Sequence, residues 1–341
     1  EGEGGEGGDA QGLMEERPLA GLRVAVNAGN GSGGFFAEEV LRPLGADVSA
    51  SLNLRPDGDF PAHPANPEDP AAVAATVAAV LGSGADLGVV FDTDVDRSGV
   101  VDASGAVLTR NRLVAALAAV VLREHPGTTV VTDSVTSRGV TEFIEGRLGG
   151  THVRYKRGYK NVIDKGVELN RLGQETHLMV ETSGHGAMKE NHFLDDGAYL
   201  AVKLIVELVR RRREAGEGDT VGLEALLEGF QEPLEQREVR LAVTAEDFLA
   251  LGKVVIDGLK YWLTRGAPPH WEPEEVNHEG FRVRVHEGDG REGWFLLRQS
   301  LHDPVLVLNV ESDVEGGVAD ILTPLASFLR NFEGELDISA L

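Results

Sequence analysis

A single order of elements is written twice in the first 213 residues, and that repetition limits the possible folds more than any other feature. The first copy reads as a strand at 22–27 (LRVAVN), a glycine-rich turn at 29–34 (GNGSGG), a helix at 35–44 and a second strand entered at Asp47. A proline-rich loop at 57–70, an alanine-rich helix at 71–81 and a buried strand at 85–91 (ADLGVVF) follow, then a loop, a hairpin at 99–108 and a helix at 111–124. The second copy has its strand at 128–133, turn at 135–139, helix at 140–148, and further strands at 152–155 and 178–180. Its loop is 181–186, its hairpin turns at Asp195-Asp196-Gly197, and its helix is 198–213. The two loops lie about 90 residues apart, as do the hairpin glycines Gly105 and Gly197, so one α/β unit occurs twice with two different loops in the same structural place. Both loops are therefore expected to face one shared cleft.

Beyond Arg213 a polar hinge at 214–219 leads to a different grammar: strand 238–243, helix 245–264, strands 280–285, 293–298 and 305–310, helix 317–332. Strands and helices no longer alternate, which predicts an α+β domain, an antiparallel sheet covered on one face by two helices. The expected organisation is a flexible acidic, glycine-rich tail at 1–18, two repeated α/β domains with mixed sheets at 19–108 and 109–219, and a smaller α+β domain at 220–341. The first residue is Glu1, so a processed protein or a fragment is expected.

Composition narrows the partners. Lys+Arg 32 against Asp+Glu 56 gives a net charge of −24, which argues against nucleic acid. No apolar run is long enough to span a bilayer, so a soluble protein with no membrane partner is expected, in the cytoplasm or plastid stroma. The absence of cysteine excludes disulfides, thiolate nucleophiles and cysteine-ligated metals.

The loop of the first copy is Asp92-Thr93-Asp94-Val95-Asp96-Arg97. Alternate carboxylates at the end of a buried strand can converge on one hard cation, and Asp92, Asp94 and Asp96 leave room for water or a phosphate, which suits Mg2+. An EF-hand would need glycine at the loop's sixth position and glutamate at its twelfth, where this chain has Arg97 and Ala103. The turn at 29–34 formally satisfies G-x-G-x-x-G, but no acid ends the next strand as a dinucleotide site requires, so the glycines are read as serving close backbone approach. Lys156, Arg157, Lys160 and Lys165 form a basic cluster that is either a phosphate contact or a solvated charge run.

Three segments, DTDVDR at 92–97, ETSGHG at 181–186 followed by KENHFLDDG, and WFLLRQSLHDP at 294–304, resemble in order and spacing the last three domains of the α-D-phosphohexomutases. The resemblance implies a heart-shaped enzyme that moves phosphate between C1 and C6 of a hexose through a bisphosphorylated intermediate, with Mg2+ as cofactor and a hexose phosphate as partner. It implies that Asp92, Asp94 and Asp96 hold the metal and that Arg97 touches the transferring phosphate. Glu181 and Ser183 match the sugar-binding loop, and a carboxylate and a hydroxyl suit neighbouring sugar hydroxyls. His185 is either a proton relay or a residue that fixes that loop, and Lys160 matches the family's lysine of this domain. Arg298 and Ser300 resemble the phosphate loop, where a guanidinium gives a bidentate grip. Here Gln299 stands for the family's proline and Leu301-His302-Asp303 for Gly/Asn-Thr-Glu, a variant similar to plant, algal or cyanobacterial members, which puts His302 in the substrate site. The family's phosphoserine loop, T-A-S-H-N-P-like, is not found in the chain. Two expectations follow: the last three domains of a phosphohexomutase, or a catalytically silent sugar-phosphate-binding pseudoenzyme with a regulatory role.

Overall fold

A computed structural model describes residues 17–215, 222–300 and 303–341. The expected tail falls almost wholly outside the described residues, as do 216–219 of the hinge and His302. Two compact units meet in sequence at Phe230 and Gln231. Among the described residues no helix is long and apolar enough to cross a membrane.

In the first unit, strand β1 (Val24–Asn27) is followed by helix α1 (Pro70–Ser83), and the reasons for its bounds are local. Asp69 accepts hydrogen bonds from the backbone N–H groups of Ala71 and Ala72, Pro70 occupies the first turn, and Gly84 ends the helix at φ +64°. Strands β2 (Leu87–Phe91), β3 (Ser98–Asp102) and β4 (Val107–Leu108) complete a sheet of order β1-β2-β3-β4. β1 and β2 are parallel, with Val24 opposite Leu87, whereas β2 and β3 are antiparallel, with Val90 opposite Gly99. The expected second strand is reduced to two parallel bridges, Arg23 to Asp47 and Asn27 to Leu52.

Helix α2 (Arg110–Glu124) links the copies, and every residue from Leu113 to Leu122 is buried, as a helix apolar all round must be. Strand β5 (Thr129–Thr132), helix α3 (Arg138–Glu142), strand β6 (Thr151–Arg154), helix α4 (Tyr159–Arg171) and strands β7 (Thr176–Val180) and β8 (Gly186–Met188) follow. The second sheet has order β6-β5-β7-β8, parallel except for the β7–β8 pair. Strand for strand, β5 matches β1, β7 matches β2 and β8 matches β3, so the mixed sheets of both copies are borne out. Helix α5 (Gly197–Ala215) ends the second copy with Leu200, Ala201, Leu204, Ile205 and Leu208 buried at helical spacing. One apolar cluster draws on β1, β2, α2, β5, β7 and α5 together, so the copies share a core. Leu223 and Leu226 also belong to it, and the unit therefore continues past the expected boundary at 219.

The second unit contains β9 (Glu235–Ala242), helix α6 (Phe248–Leu263), β10 (Trp271–Pro273), β11 (Phe281–Gly288), β12 (Arg291–Gln299), β13 (Val305–Ser312) and helix α7 (Gly317–Leu329). The sheet order β10-β11-β12-β13-β9 is antiparallel throughout. Val283, Phe295, Leu297, Leu308 and Val310 alternate along the strands onto one face and cluster with Val255 and Leu259 of α6 and Leu322 and Leu325 of α7. The α+β architecture is as read from sequence, with β10 added at the sheet edge.

Candidate active site

β2 ends at Phe91, and the next residue begins a loop that is tied up by its own first acid. Asp92 is buried, and its Oδ1 accepts from the backbone N–H groups of Val95 at 3.0 Å and Arg97 at 3.1 Å. Its Oδ2 accepts from Arg97 Nε at 2.9 Å. These bonds fold the loop so tightly that Val95 sits at φ +74°, a region β-branched residues rarely enter. The outcome is that one carboxylate oxygen from each of Asp92, Asp94 and Asp96 lies within 4.8 Å of the others.

The glycine-rich turn supports this loop from the side. Ser32 donates from both its backbone N–H and its Oγ to the carbonyl of Thr93, each at 2.9 Å. A Cβ on Gly31 would lie 2.7 Å from that same carbonyl, so only glycine permits the approach. The turn therefore does what its reading as a close-approach device anticipated.

A divalent cation fits the acid set. Asp96 Oδ1 is buried and has no hydrogen-bond partner among the described residues, a carboxylate oxygen left for an ion. Burial, and then the neighbouring Asp92 carboxyl, push the Asp96 acid up to about 6. Three oxygens and no nitrogen or sulfur are the donor set of a hard cation.

The second copy brings its loop against the first. Arg97 and His185 form an antiparallel bridge, and the backbone N–H of Gly197 donates to the carbonyl of Val95 at 3.1 Å. A Cβ at Gly197 would meet the Arg97 backbone at 2.5 Å, which ties the hairpin glycine to the acid loop. His185 Nδ1 lies 2.9 Å from Asp195 Oδ2 and 3.6 Å from Asp96 Oδ2. Its ring stacks on Tyr159 with centroids 5.1 Å apart. Burial opposes charge on His185, yet the bond to Asp195 and the fields of Asp195, Asp96 and Glu181 raise its pKa overall.

Glu181 is 4% exposed, accepts from the backbone N–H of Gly158 at 2.5 Å and from Ser183 Oγ at 3.2 Å. Burial first, then the charge of Asp133, push its carboxyl up to about 7. Asp133 is itself fully buried and anchors the loop by accepting from Thr182 N at 3.3 Å and Thr182 Oγ1 at 2.8 Å.

Asp92, Asp94, Asp96, Arg97, Glu181, Ser183 and His185 are thus gathered in one unit. Lys160 stands at the start of α4, close in sequence to Gly158 and Tyr159, but its side chain is exposed and pairs with Asp164. Arg298 and Ser300 belong to the other unit: Arg298 is buried at the end of β12, 3.8 Å from Glu279, and Ser300 Oγ accepts from Asp303 N at 3.2 Å. Sequence reasoning passed over Tyr159, Asp133 and Asp195. Only Asp195 carried a signal, as the acid two residues ahead of the repeated hairpin glycine.

A family model described as phosphoglucomutase/phosphomannomutase, alpha/beta/alpha domain II, matches residues 10–105, and the corresponding domain III model matches 109–218. A phosphomannomutase/phosphoglucomutase of Pseudomonas putida is 31% identical over 318 residues, covering 93% of this chain and 62% of that protein. A phosphoglucomutase of Neisseria gonorrhoeae is 28% identical over 331 residues, covering 92% and 65%. The crystal structure of a phosphoglucomutase/phosphomannomutase family protein from Burkholderia thailandensis superposes with a TM-score of 0.72 at 26% identity, over 94% of this chain and 64% of that one. The N-acetylphosphoglucosamine mutase of Aspergillus fumigatus, in complex with GlcNAc-6P and magnesium, shares the fold with a TM-score of 0.55 at 15% identity, over 91% of this chain and 66% of that one. The chain therefore spans less than two thirds of the length of these relatives.

Proposed function

The chain belongs to the phosphoglucomutase/phosphomannomutase family of α-D-phosphohexomutases, and on that premise we propose that it supplies the metal, sugar and phosphate sites of a hexose-phosphate mutase. The reaction is the interconversion of hexose 1-phosphate and hexose 6-phosphate through a bisphosphorylated sugar. The relatives named above are hexose-phosphate mutases by name, which supports the reading.

The observation that carries the reading is the acid cluster at 92–96, with one buried carboxylate oxygen that has no partner among the described residues, set directly against the Glu181 to His185 loop. Asp92, Asp94 and Asp96 would hold Mg2+, which when bound neutralises charge on a transferring phosphoryl group. Presence of magnesium in the Aspergillus fumigatus relative's complex supports that choice. Arg97, fixed by Asp92, presents its remaining guanidinium N–H groups to the same phosphate. Glu181 and Ser183 bind adjacent sugar hydroxyls, and the raised acid of Glu181 keeps it able both to donate and to accept near neutral pH. His185 offers Nε2 as the proton carrier for the attacking and leaving hydroxyls. Arg298 and Ser300 would grip a phosphate in the second unit, and Lys160 of the first unit would contact substrate once it leaves Asp164.

Titration of the chain with glucose 6-phosphate in the presence of Mg2+, followed by calorimetry, tests the binding sites. Assay of the longest product of the gene with glucose 1-phosphate, Mg2+ and a hexose 1,6-bisphosphate primer tests turnover. Binding with no turnover in that product would replace the mutase by a silent sugar-phosphate binder, and no binding at all would overturn both.

A further inference from the structure

The two neighbouring acids of the Asp195-Asp196-Gly197 turn face in opposite directions, and the difference assigns one of them a task. Asp196 Oδ1 accepts from the backbone N–H of Tyr199 at 2.9 Å and so caps α5. Asp195 points the other way, with Oδ2 at 2.9 Å from His185 Nδ1 and Oδ1 accepting from the backbone N–H of Gly186 at 2.9 Å. An ionised carboxylate only accepts, so His185 must carry a proton on Nδ1, and in the neutral ring the lone pair lies on Nε2. Nε2 has no hydrogen-bond partner among the described residues. Stacking on Tyr159 fixes the plane of the same ring.

We propose that Asp195 is a positioning residue for His185: it sets the tautomer and the ring rotation that leave Nε2 ready to take a proton from a sugar hydroxyl. The chain leading into the turn is strained, since His192 and Phe193 both have positive φ, +55° and +61°. This rests on the mutase reading for its purpose, but the geometry of the tautomer stands apart from turnover.

The geometry also dictates what a conservative change does. In Asp195→Asn the amide oxygen must accept the Gly186 N–H, because an NH2 group cannot. The NH2 is then turned toward His185 Nδ1 and donates to it, which drives the ring proton to Nε2 and leaves no lone pair there. Volume and secondary structure are preserved.

The test has two arms. Imidazole nitrogen NMR over a pH titration, read at the alkaline plateau where the ring has lost its charge, reports the tautomer in the chain itself, with His185→Gln identifying the signals. The wild type is expected in the Nδ1–H form and Asp195→Asn in the Nε2–H form. In the product that turns over, Asp195→Asn is expected to lower kcat by about 10²–10⁴-fold, the span of general acid–base assistance, with KM for the hexose phosphate changed less than threefold. An Nε2–H wild-type ring, or an unchanged kcat in a variant whose tautomer has switched, would overturn the proposal. Should the wild type show no turnover at all, the mutase reading falls while the tautomer result still decides whether Asp195 orients the ring. A variant that fails to fold leaves the wild-type spectrum as the deciding measurement.

Discussion

Replacing Glu181 by glutamine should make the protein more stable in alkaline buffer while weakening its grip on sugar. The Glu181 carboxyl is buried and pushed up to about 7, first by burial and then by Asp133, against an ordinary value of 4.5. Between those values the folded chain holds a proton that the unfolded chain has released. Stability from this group is therefore full below about 4.5 and is lost as pH rises through about 7. At about 1.4 kcal/mol per pKa unit, the whole shift amounts to roughly 3 kcal/mol at pH 8. Asp133 shares that repulsion, and glutamine retains an acceptor for the Gly158 N–H, so the gain for Glu181→Gln at pH 8 should exceed its gain at pH 5 by about 1–2 kcal/mol. All three tryptophans, Trp262, Trp271 and Trp294, lie in the second unit, so urea unfolding of the first must be followed by far-UV circular dichroism. Affinity for glucose 6-phosphate at pH 8 should fall about tenfold, the worth of a charge-assisted hydrogen bond. A variant no more stable at pH 8 than at pH 5, relative to wild type, would refute the account of a strained buried acid.

Further outcomes follow from the same structure. Asp94→Asn removes charge without volume from the acid loop. Mg2+ at a hundred times its dissociation constant should stabilise the wild type by about 2.7 kcal/mol in thermal unfolding and the variant by far less, and turnover in the complete enzyme should fall by orders of magnitude. An unchanged Mg2+ response would remove the acids from the metal site. Arg298→Ala should weaken glucose 6-phosphate binding at least tenfold in calorimetry without altering the Mg2+ response, and unaltered affinity would mean that the second unit is not a phosphate clamp. Glu207→Gln should cost about 2–3 kcal/mol in urea unfolding, the low end for a broken buried ion cluster. Its carboxylate is buried under Arg123, Arg210 and Arg211 at 2.6–2.8 Å, but those arginines are partly exposed and can rehydrate. No loss would show the cluster to be neutral in effect.

The strands and helices that were legible in the sequence are those whose ends are punctuated. Pro70 and Gly84 bracket α1, and the change from VVF to DTD at Asp92 marks the end of β2 within one residue. α4 was not legible. Its buried side is only Val162, Gly166 and Leu169, and its first half carries Lys160, Asp164 and Lys165, so it read as a charge cluster. The polar hinge reads as the end of the second copy, where the family match also stops at 218, and nothing in the sequence signals that Leu223 and Leu226 beyond it fold back into the core of the first unit. Site residues that act through another residue were harder still. Nothing in the composition of the Asp195-Asp196 pair separates the acid that caps a helix from the acid that holds His185; only their folded partners, the Tyr199 N–H and the His185 ring, do.

The repetition explains why the acid loop can afford its strain. A β-branched residue at positive φ costs about 1–3 kcal/mol, and Val95 persists there because bonds from both copies hold it. Asp92 binds the Val95 and Arg97 N–H groups from within the first copy, and Gly197 donates to the Val95 carbonyl from the second. The acid loop is thus completed by the hairpin glycine of its own duplicate, and the His185 bridge to Arg97 adds a second tie beside it. One scaffold copied once is then enough to set the acid cluster and the Glu181 to His185 loop side by side in a shared core.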